Sequence, residues 1–419
     1  MRAGLIRPVL EQGKRARGVA EEMPSLHQSQ TGISRARGTT HLAVATLIAS
    51  VMLGWPVSVQ AAAPPTEVNT CGQVFSGNGF LSGDLDCSAA GVVTAVTIQG
   101  GTFDLQGFTL TAPIQAVGCL KSCKVISDPP GGTITSAGSS TISAVGAGAS
   151  PSGGRVNIRI SDVFVTNGRV NATHGNIKLI DSTVTGIAST FPAVDAGVSS
   201  TARLLRSVVT ANAGTGVSGT KAKIIDSTVS NNGGIGVFGS RSVSIKRSTV
   251  SASGSNGVQT NNKSVRLTDS SVTGNGMAGV DLAIFAKAKV VRSDISGNGT
   301  QGIIGPSKRI IVRESTITNN GAEGIRQDAF GVAKLTDSTI TGNALDGVAQ
   351  TALDQCKLIL QGTTTVAGNG TDPSCGVSRT CADLTSCDPP EVDPASTCNT
   401  SYDVNSGFPG MSWGVCALD

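Results

Sequence analysis

Between residues 156 and 348 one pattern of apolar and polar positions recurs along the chain. A serine stands at Ser161, Ser182, Ser207, Ser227, Ser248, Ser270, Ser293, Ser315 and Ser338. Two positions after each is Val or Ile, from Val163 to Ile340. Three positions before each is Ile, Leu or Val, from Ile158 to Leu335. A further apolar column lies five positions before, from Val156 to Ala333. Residues two apart share one face of a strand, so the two leading columns predict a short strand with one buried face. The column after the serine predicts a second strand. The last seven copies add an asparagine at plus five (Asn212, Asn232, Asn275, Asn298, Asn320 and Asn343, with Ser253 as the one exception). They also add a glycine at plus nine, from Gly216 to Gly347, followed each time by Val or Ile. This predicts a third strand after a tight approach of the backbone.

Three short strands and three turns make a coil of about 22 residues, a period expected of solenoids. Coils that hydrogen-bond to one another at about 4.8 Å stack equivalent side chains in columns. Serine and asparagine columns can then bond along the stack, as polar ladders do in cross-β structures. The expected fold is an all-β, right-handed parallel β-helix. The composition agrees. Gly numbers 54 and aromatic residues are only 3%, so the core is aliphatic and the turns are many. Helical repeats would need a 3.6-residue period, leucine-rich repeats a Leu-x-x-Leu-x-Leu frame, and a calcium-binding roll Gly-rich nonapeptides. None is present.

The strings running from Ser227 to Val237 and from Ser315 to Ile325 resemble the repeats of the pectin-lyase-like β-helix superfamily. Asp84-Leu85-Asp86-Cys87 and the stretch Phe103 to Gly107 resemble the opening segment of its secreted bacterial members. The resemblance covers about residues 70–370 and implies the fold. That superfamily holds lyases, hydrolases, epimerases, tailspikes and passive surface proteins, so it implies no single activity.

The ends differ from the repeats. Arg35 and Arg37 precede an apolar run, Leu42 to Gly54, and then Val59-Gln60-Ala61. This reads as a signal peptide over residues 1–61 with a long basic leader, Met23 being an alternative start. The run is short for a membrane span, so the remaining chain is not expected to be an integral membrane protein. The segment carries seven Lys/Arg and three Asp/Glu, and its removal brings the totals of 32 basic and 28 acidic residues to balance. Net charge therefore gives no reason to expect nucleic acid. Residues 62–125 read as an N-terminal cap with the first coils, 126–355 as regular coils, and 356–419 as a last coil and cap. All ten cysteines fall in the end regions: Cys71, Cys87, Cys119 and Cys123 before the repeats, then Cys356, Cys375, Cys381, Cys387, Cys398 and Cys416 after them. Even numbers in an exported chain suggest disulfides, with the pairing open. No cofactor or metal site is expected, since His174 is the one histidine after the leader.

Three outward columns could carry function. The residue before the serine (Asp181, Arg206, Asp226, Arg247, Asp269, Arg292, Glu314, Asp337) alternates in sign for seven coils and predicts a surface ladder of ion pairs. Four before the serine the column is Lys178, Arg203, Lys223, Ser244, Arg266, Lys289, Ile311 and Lys334. Stacked like charges oppose folding. Either these cations reach acids such as Asp181 and Asp226, or they match an extended polyanion such as a polyuronate. On the third strand the outward residues are Ser218, Phe238, Gln259, Asp281, Ile304, Arg326 and Ala349, with Glu323, Asp328 and Asp346 nearby. Asp281, Glu323, Arg326, Asp328 and Asp346 are the candidate catalytic residues. Paired carboxylates would suit a glycosidase, and a carboxylate cluster holding calcium, with Arg326 near a proton to be abstracted, would suit a lyase. Of the strings that mark polygalacturonase-like members only His174-Gly175 is present, and the lyase-type Trp-Ile-Asp-His is absent. The expectation is a noncatalytic surface or carbohydrate-binding scaffold. A polysaccharide lyase or hydrolase is one alternative, and an adhesin or assembly module another.

Overall fold

The computed structural model describes residues 63–136, 143–147, 154–328, 331–350 and 356–370, and short strands at 384–385, 391–392 and 397–398. Every strand pairing among these residues is parallel, and each strand pairs with its equivalents one coil before and one coil after. The coils form three faces. The first sheet holds strands such as Ile177–Ile180 and Ser264–Thr268. The second is a 14-stranded stack that includes Thr183–Thr185 and Thr249–Ser251. The third holds strands such as Val258–Thr260 and Val280–Leu282. In five coils the third sheet bends into the first sheet of the next coil as one strand, Gln73–Leu81, Thr94–Asp104, Val194–Leu205, Val217–Ile225 and Val237–Lys246.

The core is the inside of this tube. The two leading apolar columns, the one after the serine and the one after the glycine are all buried, for example Ile177, Leu179, Val184 and Val217. Each such side chain contributes about 1.5–3 kcal/mol by leaving water. Among the described residues aromatics enter the core only at the N-terminal end, where Phe75 and Phe103 meet at 5.8 Å between ring centres.

Register corrects one alignment. Ile158 pairs with Ile177 and Val165 with Val184, so in the first copy Val163, not Ser161, occupies the serine position. The copy had been shifted by two because an apolar residue stands where the later coils have serine. Val163 still receives the ladder bond, its N–H donating to Ser182 Oγ.

The turns explain the polar columns. The residue before each serine is left-handed, with φ between 45 and 62° from Asp162 to Asp337. A single residue of this kind turns the chain from the first sheet to the second. The serine hydroxyl then donates to the carbonyl two residues back and accepts the serine N–H of the preceding coil, as Ser207 does with Leu205 and Ser182. The asparagines form a true ladder. Asn275 Nδ2 donates to Asn298, Asn298 to Asn320, Asn320 to Asn343 and Asn343 to Asn369, at 2.8–2.9 Å. Asn369 extends it one coil beyond the sequence pattern. The plus-nine glycines are required by this ladder. A Cβ on Gly302 would lie 2.6 Å from Gly324 O and 2.9 Å from Asn320 Nδ2.

Two disulfides staple the N-terminal coils, Cys71–Cys87 and Cys119–Cys123. Cys356 and Cys398 lie on strands Cys356–Gln361 and Thr397–Cys398. Cys375, Cys381, Cys387 and Cys416 lie outside the described residues, as does the proposed leader. Among the described residues no helix is long and apolar enough to cross a membrane.

Candidate functional site

On the third sheet the expected outward column is formed, from Ser218 through Phe238, Gln259, Asp281, Ile304 and Arg326. Asp281 and Arg326 stand two coils apart, about 10 Å by strand spacing, with Ile304 between them. Asp281 accepts a hydrogen bond from Asn256 Nδ2 at 2.9 Å. Burial raises its carboxyl above the usual carboxylate range, against a smaller lowering by Asn256. Arg326 is held from both sides, by the buried Glu323 at 3.1 Å and by Asp328 at 2.7 Å. Gln301 also donates to Glu323, at 2.9 Å. Asp346 is buried one coil on, its carbonyl accepting from Gly324. Glu323, Arg326 and Asp328 thus form one cluster whose charges satisfy one another, while Asp281 belongs to a separate pair with Asn256. Among the described residues no three Asp, Glu, His or Cys side chains converge as a metal site.

A second cluster on this sheet escaped the sequence pattern. Arg169 Nη2 lies 2.7 Å from Asp195, and its guanidinium sits 5.1 Å from the centre of the Phe191 ring. Asp195 pairs with Ser218 and so continues the outward column upstream. The coils here have longer loops, which hid the period.

The first sheet presents the strongest field. The cationic column is in strict register from Lys178 through Arg203, Lys223, Ser244, Arg266, Lys289 and Ile311 to Lys334. It also extends upstream, because Arg159 pairs with both Lys178 and Lys124. Sequence reading missed these two, Arg159 through the shifted alignment and Lys124 because it precedes the regular copies. Lys221, Lys246, Lys287, Arg309 and Arg313 stand on the neighbouring outward positions of the same strands. From Lys124 to Lys334 the outward positions of these paired strands carry no Asp or Glu.

The turn beside this face bears on the two readings of the stripe. Asp181 is bound by Arg206 through both oxygens at 2.7 Å, Asp226 by Arg247 at 2.6 and 2.8 Å, and Asp269 by Arg292 at 2.6 and 3.3 Å. Each arginine reaches back one coil. These bonds are the main cause that holds all three carboxyls below the ordinary value. Asp181, Asp226 and Asp269 are therefore engaged by the ladder, while Asp162, Glu314 and Asp337 of the same turn column have no arginine ion pair among the described residues. Among the described residues no ion pair includes a member of the stripe. Burial first, then the fields of Arg159 and Arg203, pull Lys178 below the ordinary lysine value. Arg203 Nε is enclosed without a hydrogen-bond partner. Two unit charges about 5 Å apart in water repel by about 0.8 kcal/mol, so each adjacent pair is a standing cost that a bound anion would relieve.

The stacked coils define a parallel β-helix, and the family comparison agrees. Residues 213–369 match the family described as a right handed beta helix region. Together with the coils stacked before that segment, the chain is a right-handed parallel β-helix protein. No curated protein matches it. Among solved structures, the periplasmic alginate epimerase AlgG is similar at 12% identity, over 78% of this chain and 85% of that one, with a TM-score of 0.48. The Azotobacter vinelandii mannuronan C-5 epimerase AlgE4 A-module is similar at 14% identity, over 81% and 92%, with a TM-score of 0.44. Bacteriophage CBA120 tailspike protein 3 is similar at 12% identity, over 79% and 60%, with a TM-score of 0.44.

Proposed function

We propose that this chain is an exported, noncatalytic β-helix that holds an acidic polysaccharide along its first sheet. The observation that carries the reading is the cationic face from Lys124 to Lys334, which has no acid on its outward strand positions and beside which Asp181, Asp226 and Asp269 are already engaged by arginines. Export is supported by the basic and apolar leader ending near Ala61 and by the paired cysteines, which suit an oxidising compartment. A sugar polymer is preferred to nucleic acid because the outward positions of this face hold no aromatic side chain on which bases could stack. A noncatalytic role is supported on the third sheet by Arg326, whose guanidinium is held by Glu323 and Asp328.

The test is a titration of the protein with polygalacturonate, dextran and oligothymidylate across roughly 0.05–0.5 M salt. Polygalacturonate is expected to bind, weakening steeply with salt, while dextran does not. Tighter binding of oligothymidylate than of polygalacturonate would move the ligand to nucleic acid. Failure of every polyanion would refute the reading. An enzymatic reading keeps one observation, the raised carboxyl of Asp281. Release of reducing ends or unsaturated uronides from polygalacturonate, lost in Asp281→Ala, would establish it.

A further inference from the structure

The cationic face is not uniform along the helix axis. Lys124, Arg159, Lys178, Arg203 and Lys223 occupy five successive coils, each paired in register with the next. Ser244 then interrupts the column, Arg266 and Lys289 follow, and Ile311 interrupts it again before Lys334. We propose that the five-coil run from Lys124 to Lys223 is a discrete site that takes five successive acidic sugar units, one carboxylate to each coil. The inference rests on the polysaccharide reading above and adds its position, length and limit.

Three observations support it. Strand spacing sets the cations about 4.8 Å apart, a repeat that one acidic ring per coil can follow when the chain lies along the helix axis. A groove of about 470 Å³ runs over the upstream part of this run, lined by Lys124, Arg159 and Lys178 and edged by Ser122, Asn157 and Asn176. The edge is a hydrogen-bonded row. Asn157 donates to Ser122 Oγ at 3.0 and 3.4 Å, and Asn176 donates to Asn157 Oδ1 at 2.9 Å. Each amide uses one of its two side-chain hydrogens in that row, which leaves the other for a sugar hydroxyl or carboxylate. The row edges the first three coils of the run, and Thr201 and Lys221 take the equivalent positions in the coils of Arg203 and Lys223.

The interruption at Ser244 limits the site energetically as well as geometrically. A unit placed opposite serine gains no ion pair, and the units beyond it must be ordered before Arg266 contributes. Binding should therefore level off once the five-coil run is filled.

The experiment measures the affinity of the full chain for galacturonate oligomers of two to ten units. Affinity is expected to climb with each unit to five and then to level off. Lys178→Glu is expected to lower it at least about tenfold, and Lys289→Glu by no more than about twofold. Ser244→Lys joins the run to Arg266 and Lys289, so the levelling point is expected to move from five units to eight. All three positions are outward on strands, and a thermal melt confirms that each variant is folded. A continuous climb to ten units, equal losses from Lys178→Glu and Lys289→Glu, or a levelling point unmoved by Ser244→Lys would overturn the five-coil site while leaving the polyanion face intact. Absence of binding by any oligomer and by the polymer would overturn both.

Discussion

Ser253 is the one gap in the asparagine ladder, and filling it should stabilise the protein. Asn212 Nδ2 donates to Asn232 Oδ1 at 2.9 Å, but Asn232 has no amide ahead of it, and Ser253 Oγ is buried without a partner. The space for an asparagine exists. A Cβ on Gly236 would come 2.7 Å from Ser253 Oγ, just as one on Gly216 would come 2.8 Å from Asn232 Nδ2 and one on Gly257 2.6 Å from Asn275 Nδ2. The same bay therefore holds asparagine in the coils on either side. Ser253→Asn would form two amide bonds, from Asn232 and to Asn275, each with a net contribution of about 0.5–1.5 kcal/mol. Ordering the longer side chain opposes this by roughly 1 kcal/mol. The net gain is about 1 kcal/mol within a span of roughly 0–2 kcal/mol, a roughly 5-fold and at most about 30-fold change in the opening equilibrium. Hydrogen exchange of peptides covering residues 226–256 reads that change locally, which suits a solenoid better than one global melting point. The control is Ser253→Ala, which removes only an unbonded hydroxyl and should be neutral or slightly stabilising. If Ser253→Asn exchanges no more slowly than Ser253→Ala, the ladder does not contribute as argued.

Three further outcomes follow from the stacked columns. Gly302→Ala should destabilise by about 1–3 kcal/mol in denaturant melts, since its Cβ meets Gly324 O and Ile317 Cγ2, both at 2.6 Å, with no room to yield. Deleting one coil, residues 227–247, sets Asp226 against Asp269, whereas deleting two, residues 227–269, keeps Asp226 beside Arg292. The two-coil deletion should melt higher than the one-coil deletion at low salt, and the difference should shrink at high salt. The third outcome concerns acid. The native carboxyls of Asp181, Asp226 and Asp269 are lowered by Arg206, Arg247 and Arg292. Their contribution is thus complete above the unfolded value and is lost as pH falls through the native one. The melting-point advantage of the natural protein over the triple Arg206→Gln, Arg247→Gln, Arg292→Gln variant should persist at neutral pH, begin to fall near the unfolded carboxyl value of about 4, and vanish only as the pH passes below the lowered native values.

The fold was legible because a stacked coil repeats its environment. Ser207, Asn232 and Gly236 recur for the same steric and hydrogen-bonding reasons in each copy, so a single sequence carries its own alignment. Legibility failed where the environment changed. Val163 hid the first copy's register and with it Arg159, and the irregular loop lengths upstream hid Arg169 and Asp195. The charges of the third sheet were legible as a column but not as a cluster. That Arg326 binds Glu323 and Asp328 depends on side-chain directions, which no spacing rule supplies. For the stripe, the sequence offered Asp181 as a partner. The alternating column also offered Arg206 for that carboxylate, and the two-pronged geometry of Arg206 shows which partner takes it.

The ladders tie each coil to both of its neighbours. Along the chain asparagine amides such as those of Asn298 and Asn320 donate to the asparagine of the coil that follows and to a carbonyl of the coil before, and each ladder arginine folds back onto the coil before it. A finished coil therefore exposes, on its later side, a row of donors, acceptors and strand edges shaped to receive the next 20 or so residues and nothing more distant. Such a molecule has a growing front. It can assemble in the order in which the chain emerges from a ribosome or a membrane pore, with each turn serving as the mould for its successor. The N-terminal coils with their two disulfides are then the seed on which the rest is laid down.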